Sequence, residues 1–331
     1  MLLCPAYLTV NDLANCLRFA HQLTASPGDS VQVDASALRF IDPFGLTLLA
    51  AASERVGQSG GRVDVIRLSP THGGYLQRMN FSQHPWMQCS AGQQTVRRQD
   101  QRASLVELRR LTTEREVDAV ANALAVSMLG QVPGLYRNAP QDDMTGCNDW
   151  DRSHEPLCHV LTELLQNALT HARRDGHGQA NVWVAAQYMR KTDRIHLGIT
   201  DTGCGFLASL RSHPRLTSAT DEAAMLLALQ PRISCNRDFG LMPDSVNAGI
   251  GLTTTFRIVR NAQGRMTMVS GDGVVQTENG ADPATAHARA HQWQGVAIGL
   301  DCSRQALLQI RIRELMPPRE FGRDAPVLRF I

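Results

Sequence analysis

The sequence predicts two consecutive units, an α/β unit followed by an α+β unit. Three observations carry that expectation. Short strand-like and helix-like segments alternate over residues 1–88. A polar stretch of Gln, Arg and Asp with little apolar content fills most of 89–102 and reads as a linker. From 103 to 302, amphipathic helices are set among alternating strands, and 303–331 reads as a C-terminal tail.

In the first unit, residues 7–10 read as a strand and Asn11 as the N-cap of a helix reaching residue 25. Residues 30–34 alternate, with Val31 and Val33 on one strand face. Residues 45–59, rich in Leu and Ala, read as a helix ended by Gly60 and Gly61. Residues 62–66 form another strand, and Pro70 opens a short helix reaching Met79.

In the second unit, 104–108 reads as a strand. The helix at 113–128 carries Val117, Val120, Ala121, Leu124 and Met128 at helical spacing. Residues 130–151, with Gly, Pro, Asn and Asp, read as a long loop, and 154–173 as a helix with His154 as a capping or surface residue. Segments 181–189 and 194–200 form a hairpin about Lys191, Thr192 and Asp193. Residues 211–247 are irregular apart from a helical piece at 221–229. A helix at 252–262, closed by Gly264, and strands at 265–270, 274–277 and 293–302 complete a sheet.

Composition narrows the functional classes. A formal net charge of +2 over 331 residues argues against non-specific nucleic-acid binding, which rests on a clearly basic domain. No apolar run is long enough to span a bilayer. Met1 to Pro5 lacks the basic-then-apolar pattern of a signal peptide, so the cytoplasm is the expected compartment and no membrane partner is expected. Cys4, Cys16, Cys89, Cys147, Cys158, Cys204, Cys235 and Cys302 are scattered without a Cys-x-x-Cys pair, which argues against structural zinc and for reduced thiols.

The chemistry concentrates in three short motifs. On the 154–173 helix, Leu161, Leu164, Leu165, Ala168, Leu169 and Ala172 share one face. Glu163, Asn167 and His171 follow each other at i, i+4 on the other. A carboxylate one turn from an amide oxygen suits a phosphate-bound magnesium ion, with the amide ligating the cation and the carboxylate accepting a proton from the attacking group. The same pattern also fits the solvated face of an amphipathic helix.

Asp201-Thr202-Gly203-Cys204-Gly205 follows an apolar strand, so Asp201 stands at a strand end, where it can accept from an exocyclic amino group such as that of adenine. Gly203 and Gly205 permit close backbone approach. An ordinary Asp-x-Gly turn is the other reading. Gly249-Ile250-Gly251 opens a helix, where bare backbone N–H groups suit a polyphosphate. The long segment before it, with Arg232, Arg237 and Pro243, reads as a lid able to close over a nucleotide.

In this order and spacing, the motifs resemble the GHKL family of ATP-binding domains, shared by gyrase, heat-shock chaperones, histidine kinases and mismatch-repair ATPases. Glu163-Leu164-Leu165-Gln166-Asn167-Ala168 resembles the N-box, Asp201 to Gly205 the first glycine box, and Gly249 to Gly251 the second. The resemblance implies a two-layer α/β sandwich with a mixed sheet (the Bergerat fold) over 103–302. It implies ATP and Mg2+ as cofactors. Glu163 would be the general base and Asn167 the metal ligand. Asp201 would bind the adenine amino group, and Gly203, Gly205, Gly249 and Gly251 would shape the adenine and phosphate contacts. Asn167-Ala168-Leu169-Thr170-His171-Ala172 is most similar to the anti-sigma serine-kinase branch and brings His171 to the same site. Gln294-Gly295-Val296 has Val where many members have Thr.

Residues 5–85 resemble a STAS domain, carried by Val31-Gln32-Val33-Asp34 and by 40–46 from Phe40 through Asp42-Pro43-Phe44. In the antagonists of that family a phosphorylated serine follows the Asp; here Pro43 stands in its place, so this segment is expected to bind rather than to switch by phosphorylation there, or else only to pack on the ATP-binding unit. The expected function is a nucleotide-driven switch with slow ATP hydrolysis, a regulatory protein partner and room for a homodimer. The alternatives are an anti-sigma-type protein serine/threonine kinase and a non-catalytic scaffold.

Overall fold

The computed structural model describes residues 1–25, 28–90, 104–130, 132–231, 233, 251–278, 281–287 and 292–316. The first unit builds an all-parallel sheet in the order β1 (Leu2–Leu3), β3 (Val31–Asp34), β5 (Val63–Ile66) and β6 (Met87–Cys89). Strands β2 (Tyr7–Leu8) and β4 (Phe40–Ile41) pair separately, also in parallel. Parallel neighbours need crossover connections. Helices α1 (Leu13–Thr24), α2 (Pro43–Gln58) and α3 (Pro70–Arg78) supply them.

Two local expectations shift. Residues Val10–Asp12 form a 3-10 turn, so the first helix starts after Asp12, not at an Asn11 cap, and Asp12 spends its carboxylate on the Asn15 amide. Helix α2 starts at Pro43, ahead of the expected Gly45. Asp42 caps it, accepting from the Gly45 N–H at 2.8 Å, and Pro43 occupies a first-turn position where no N–H is needed. Strands β1 and β6, of 2 and 3 residues, are too short to show a period. Nearly all of the expected linker lies outside the described residues.

The second unit contains β7 (Leu105–Leu111), α4 (Val117–Leu129), α5 (Asp149–Ala172), β8 (Val182–Met189), β9 (Arg194–Asp201), α6 (Gly205–Leu210), α7 (Asp221–Ala228), α8 (Gly251–Asn261), β10 (Arg265–Gly271), β11 (Gly273–Glu278), β12 (Ala284–His287), β13 (Trp293–Ser303), α9 (Arg304–Leu308) and α10 (Ile312–Leu315). Its strands form one sheet in the order β12-β11-β10-β13-β9-β8-β7. The two-layer α/β sandwich is present. The sheet, expected to be mixed, is antiparallel in every pairing among the described strands, because β8–β9 and β10–β11 are tight hairpins and β13 returns between them.

Helix α5 begins within the segment read as a loop. Asn148 and Asp151 form a reciprocal capping box: the Asp151 N–H donates to Asn148 Oδ1 at 3.0 Å, and the Asn148 N–H donates to Asp151 Oδ2 at 3.2 Å. His154 is therefore inside the helix, its ring stacked on Trp150 with centroids 5.8 Å apart, and does not cap it.

Side chains leave the large sheet on both faces into separate apolar clusters. On the front, Val182, Val184, Ile195, Leu197, Ile199, Met266, Met268, Ile298 and Leu300 pack with α4, α5 and α8. On the back, Trp183, Ala185, Val269, Trp293 and Ala297 join the core of the first unit. Helix α2 lies between the two sheets, which is why 13 of its 16 residues are buried rather than a single stripe. β8 is correspondingly a near-continuous apolar run, as expected of a strand covered on both faces.

Candidate functional site

At the front of the sheet, a cavity opens between the C-terminal half of α5, the ends of β9 and β13, α6 and the start of α8. It spans about 640 Å³ of empty space, open solvent included. Asn167 and His171 line it from α5, Asp201 and Gly205 from the strand end and its turn, and Val296 and Ile298 from β13. Phe206, Leu210, Ile233 and Leu252 make the rest of the wall largely apolar.

Asp201 is held with care. It is 4% exposed. Its Oδ1 accepts the Gly203 N–H at 2.8 Å and the Val296 N–H at 3.2 Å. Its Oδ2 accepts no hydrogen bond among the described residues. Burial raises the carboxyl to about 7, opposed by the two backbone donors and by the Arg55 charge. A buried carboxylate with one oxygen fixed and the other unspent is a ready acceptor for a ligand amino group.

A bulge makes this cradle. Between β10 and β13 the register slips after Ser270: Ser270 pairs with Val296, whereas Gly271 pairs with Trp293, leaving Gln294 and Gly295 as extra residues. Gly295 has φ +105°, and a Cβ there would sit 2.4 Å from the Asp201 carbonyl oxygen, so only glycine lets the bulge close over Asp201. The Val296 contact comes through the backbone, so a valine at this position does not disturb it.

The glycine-box residues divide by role. Gly205 has φ +83°, starts α6 and lines the cavity. Gly203 seats the turn on the end of α5, where a Cβ would come within 2.2 Å of the Ala172 carbonyl oxygen. Gly251 does the same for α8, which approaches α5 so closely that a Cβ would meet the Leu164 nitrogen at 2.6 Å and the Glu163 carbonyl carbon at 2.9 Å. Gly249, Arg232, Arg237 and Pro243 lie outside the described residues.

Glu163 stands one turn before Asn167, beside Gly251. It does not line the cavity itself; its neighbour Leu164 does. Burial raises its carboxyl, with His159 pulling the other way, as suits a proton acceptor. Neither the Glu163 carboxylate nor the Asn167 amide makes a side-chain hydrogen bond among the described residues. The same burial lowers the His171 imidazole to about 4, leaving it neutral near pH 7. Among the described residues no group of three or more His, Cys, Asp or Glu side chains could enclose a metal ion. An ion here would rely on few protein ligands plus phosphate and water, as magnesium does.

Motif reading noted Gln294-Gly295-Val296 only for its Val in place of Thr and did not find Trp293 or Arg55. The isolated Gly295 within the β13 run is the local signal by which a bulge there could have been found. Arg55 has no local signal, because it arrives from another unit.

Residues 153–282 match the family model described as histidine kinase-, DNA gyrase B-, and HSP90-like ATPase. That span carries α5, the Asp201 turn and the start of α8, and it supports ATP binding and an activity of the kinase or ATPase kind in general. No curated protein and no solved structure matches the chain. Among the described residues no helix is long and apolar enough to cross a membrane.

Proposed function

We propose that this protein is an ATP- and magnesium-dependent regulatory switch with slow hydrolysis, acting on a protein partner. The observation that carries the reading is Asp201: one oxygen is pinned by two backbone donors, and its carboxyl faces a cavity that Asn167 and His171 share. That arrangement suits an adenine amino group on an otherwise apolar wall.

In this reading Asn167 holds the magnesium ion, together with phosphate oxygens and water. Bound there, the ion would neutralise phosphate charge. Glu163 takes the proton of the attacking water, its raised carboxyl matching the task. The neutral His171 contributes a polar but uncharged wall. The parallel sheet with its crossover helices supports the STAS-like reading of residues 5–85. Its Asp42–Pro43 corner caps α2 against β9, so it binds within the chain instead of offering a phosphorylation loop.

The test is calorimetry with ADP and ATP in magnesium buffer, followed by turnover of γ-labelled ATP. Saturable binding with release of free labelled phosphate supports the switch. Label transferred to a co-purifying protein would replace it with a protein kinase. No heat with any adenine nucleotide would end both.

A further inference from the structure

One polar side chain reaches the back of this site from the N-terminal unit. Arg55, on α2, donates from Nη2 to the Gln294 carbonyl at 2.6 Å and to the Thr202 carbonyl at 3.2 Å. Its guanidinium lies over the Trp293 ring, 5.0 Å from the centroid, and Trp293 Nε1–H donates to the Asp201 carbonyl at 3.1 Å.

These two carbonyls are not arbitrary. The Thr202 C=O and the Gly203 N–H belong to one peptide group, and in a trans peptide the two point in opposite directions. The oxygen that Arg55 holds at the back therefore aims the N–H that Asp201 Oδ1 accepts at the front. The Gln294 carbonyl opens the bulge whose other end presents the Val296 N–H to the same oxygen. Gln294 closes the loop through its own amide, Nε2 donating to the Gly203 carbonyl at 3.0 Å.

Arg55 is itself fixed by the residue before it. Glu54 is fully buried and accepts from Arg110 Nε at 2.7 Å, Asn181 Nδ2 at 2.8 Å and Trp183 Nε1 at 2.6 Å, which sets the rotation of α2 against the sheet.

We infer that Arg55 is a positioning residue for adenine recognition, so that selectivity for the 6-amino group depends on a side chain supplied by the N-terminal unit. The inference rests on the reading of this cavity as an adenine site. Arg55 touches no part of the cavity wall; it acts through the two backbone donors that orient Asp201.

The experiment compares ADP with inosine diphosphate, which carries a 6-oxo in place of the 6-amino group, on the full chain. Dissociation constants are measured by calorimetry, and the thermal transition is recorded for each variant. The wild type should prefer ADP. Arg55→Met should weaken ADP by about tenfold to a hundredfold, the worth of a hydrogen bond to a charged group, and leave inosine diphosphate within about twofold. Arg55→Lys, whose ammonium can donate to both carbonyls from one nitrogen as Nη2 does, should keep most of the preference. Trp293→Phe, which removes the N–H but keeps the ring, should lose part of the preference as well.

An unchanged ADP to inosine diphosphate ratio in Arg55→Met overturns the inference, as does equal weakening of both ligands. If Arg55→Met does not fold, Arg55→Gln, polar but too short to reach the two carbonyls, decides: a wild-type ratio there overturns it. A wild type that binds both diphosphates alike removes the adenine reading itself, a result distinct from a selective wild type whose variants stay selective.

Discussion

The two faces of the seven-stranded sheet handle polar side chains in opposite ways. On the back, under α2, Glu54 and Thr47 find their partners inside the protein. Glu54 is met by three side chains, and Thr47 shares a 2.9 Å hydrogen bond with Thr200. On the front, Glu163, Asn167 and one oxygen of Asp201 have none among the described residues. A buried polar group left unsatisfied costs stability unless something else completes it. The back is built for folding; the front is left incomplete where a ligand would complete it.

This contrast is sharpest in paired substitutions. Glu163→Ala should lower phosphate release by on the order of 10²–10⁴-fold, the usual worth of a positioned general base, while nucleotide binding and the melting temperature hold. Undiminished turnover would remove Glu163 from the proposed chemistry. Glu54→Ala on the opposite face should do the reverse. It strands the Arg110 charge and should cost about 3–5 kcal/mol of stability, read by chemical denaturation. A loss below about 1 kcal/mol would mean that the back is no more tightly specified than a surface ion pair.

A smaller effect is expected at the strand end. Asp201→Asn replaces an acceptor with a group that presents donors to Gly203 or to the ligand. It should weaken ADP about tenfold to a hundredfold and inosine diphosphate less, measured by calorimetry.

The smallest effect is a pH dependence. Burial lifts the Asp201 carboxyl from 3.8 to about 7 in the folded chain. Between those values the folded state binds more protons than the unfolded one, so this group's contribution to stability is fullest below its unfolded pKa and is lost as pH rises through about 7. An amino group donating to Asp201 favours the ionised form. ADP affinity should therefore increase from pH 6 to pH 8, with proton release detectable as a buffer-dependent binding heat. A flat profile would show that Asp201 is already ionised without ligand.

Much of the front was legible in the residues. The i, i+4 line of Glu163, Asn167 and His171, the Asp201 turn and the helix after Gly251 are local patterns, and α5 and α8 are long enough to reveal their periods. The start of α5 was hidden because its cap, Asn148, sits in a Gly- and Asp-rich segment that resembles a loop until Asp151 is seen to reciprocate. The isolated Gly295 hints at a bulge, but its closure over Asp201 depends on the register between two strands some 25 residues apart. Arg55 was invisible for the same reason: its partners Thr202 and Gln294 lie 147 and 239 residues away in the chain.

One feature of the back face reaches beyond folding. Gly198 of β9 and Gly299 of β13 are direct partners across the strands, and both lie under α2. A Cβ on Gly198 would come within 2.3 Å of the Pro43 carbonyl, and one on Gly299 within 2.9 Å of the Phe44 ring. The sheet thus carries a notch of bare backbone cut to the shape of another segment's first turn. Such a notch has no use to a nucleotide-binding fold travelling by itself. With a different N-terminal companion, this sheet would keep the dent and have nothing to seat there.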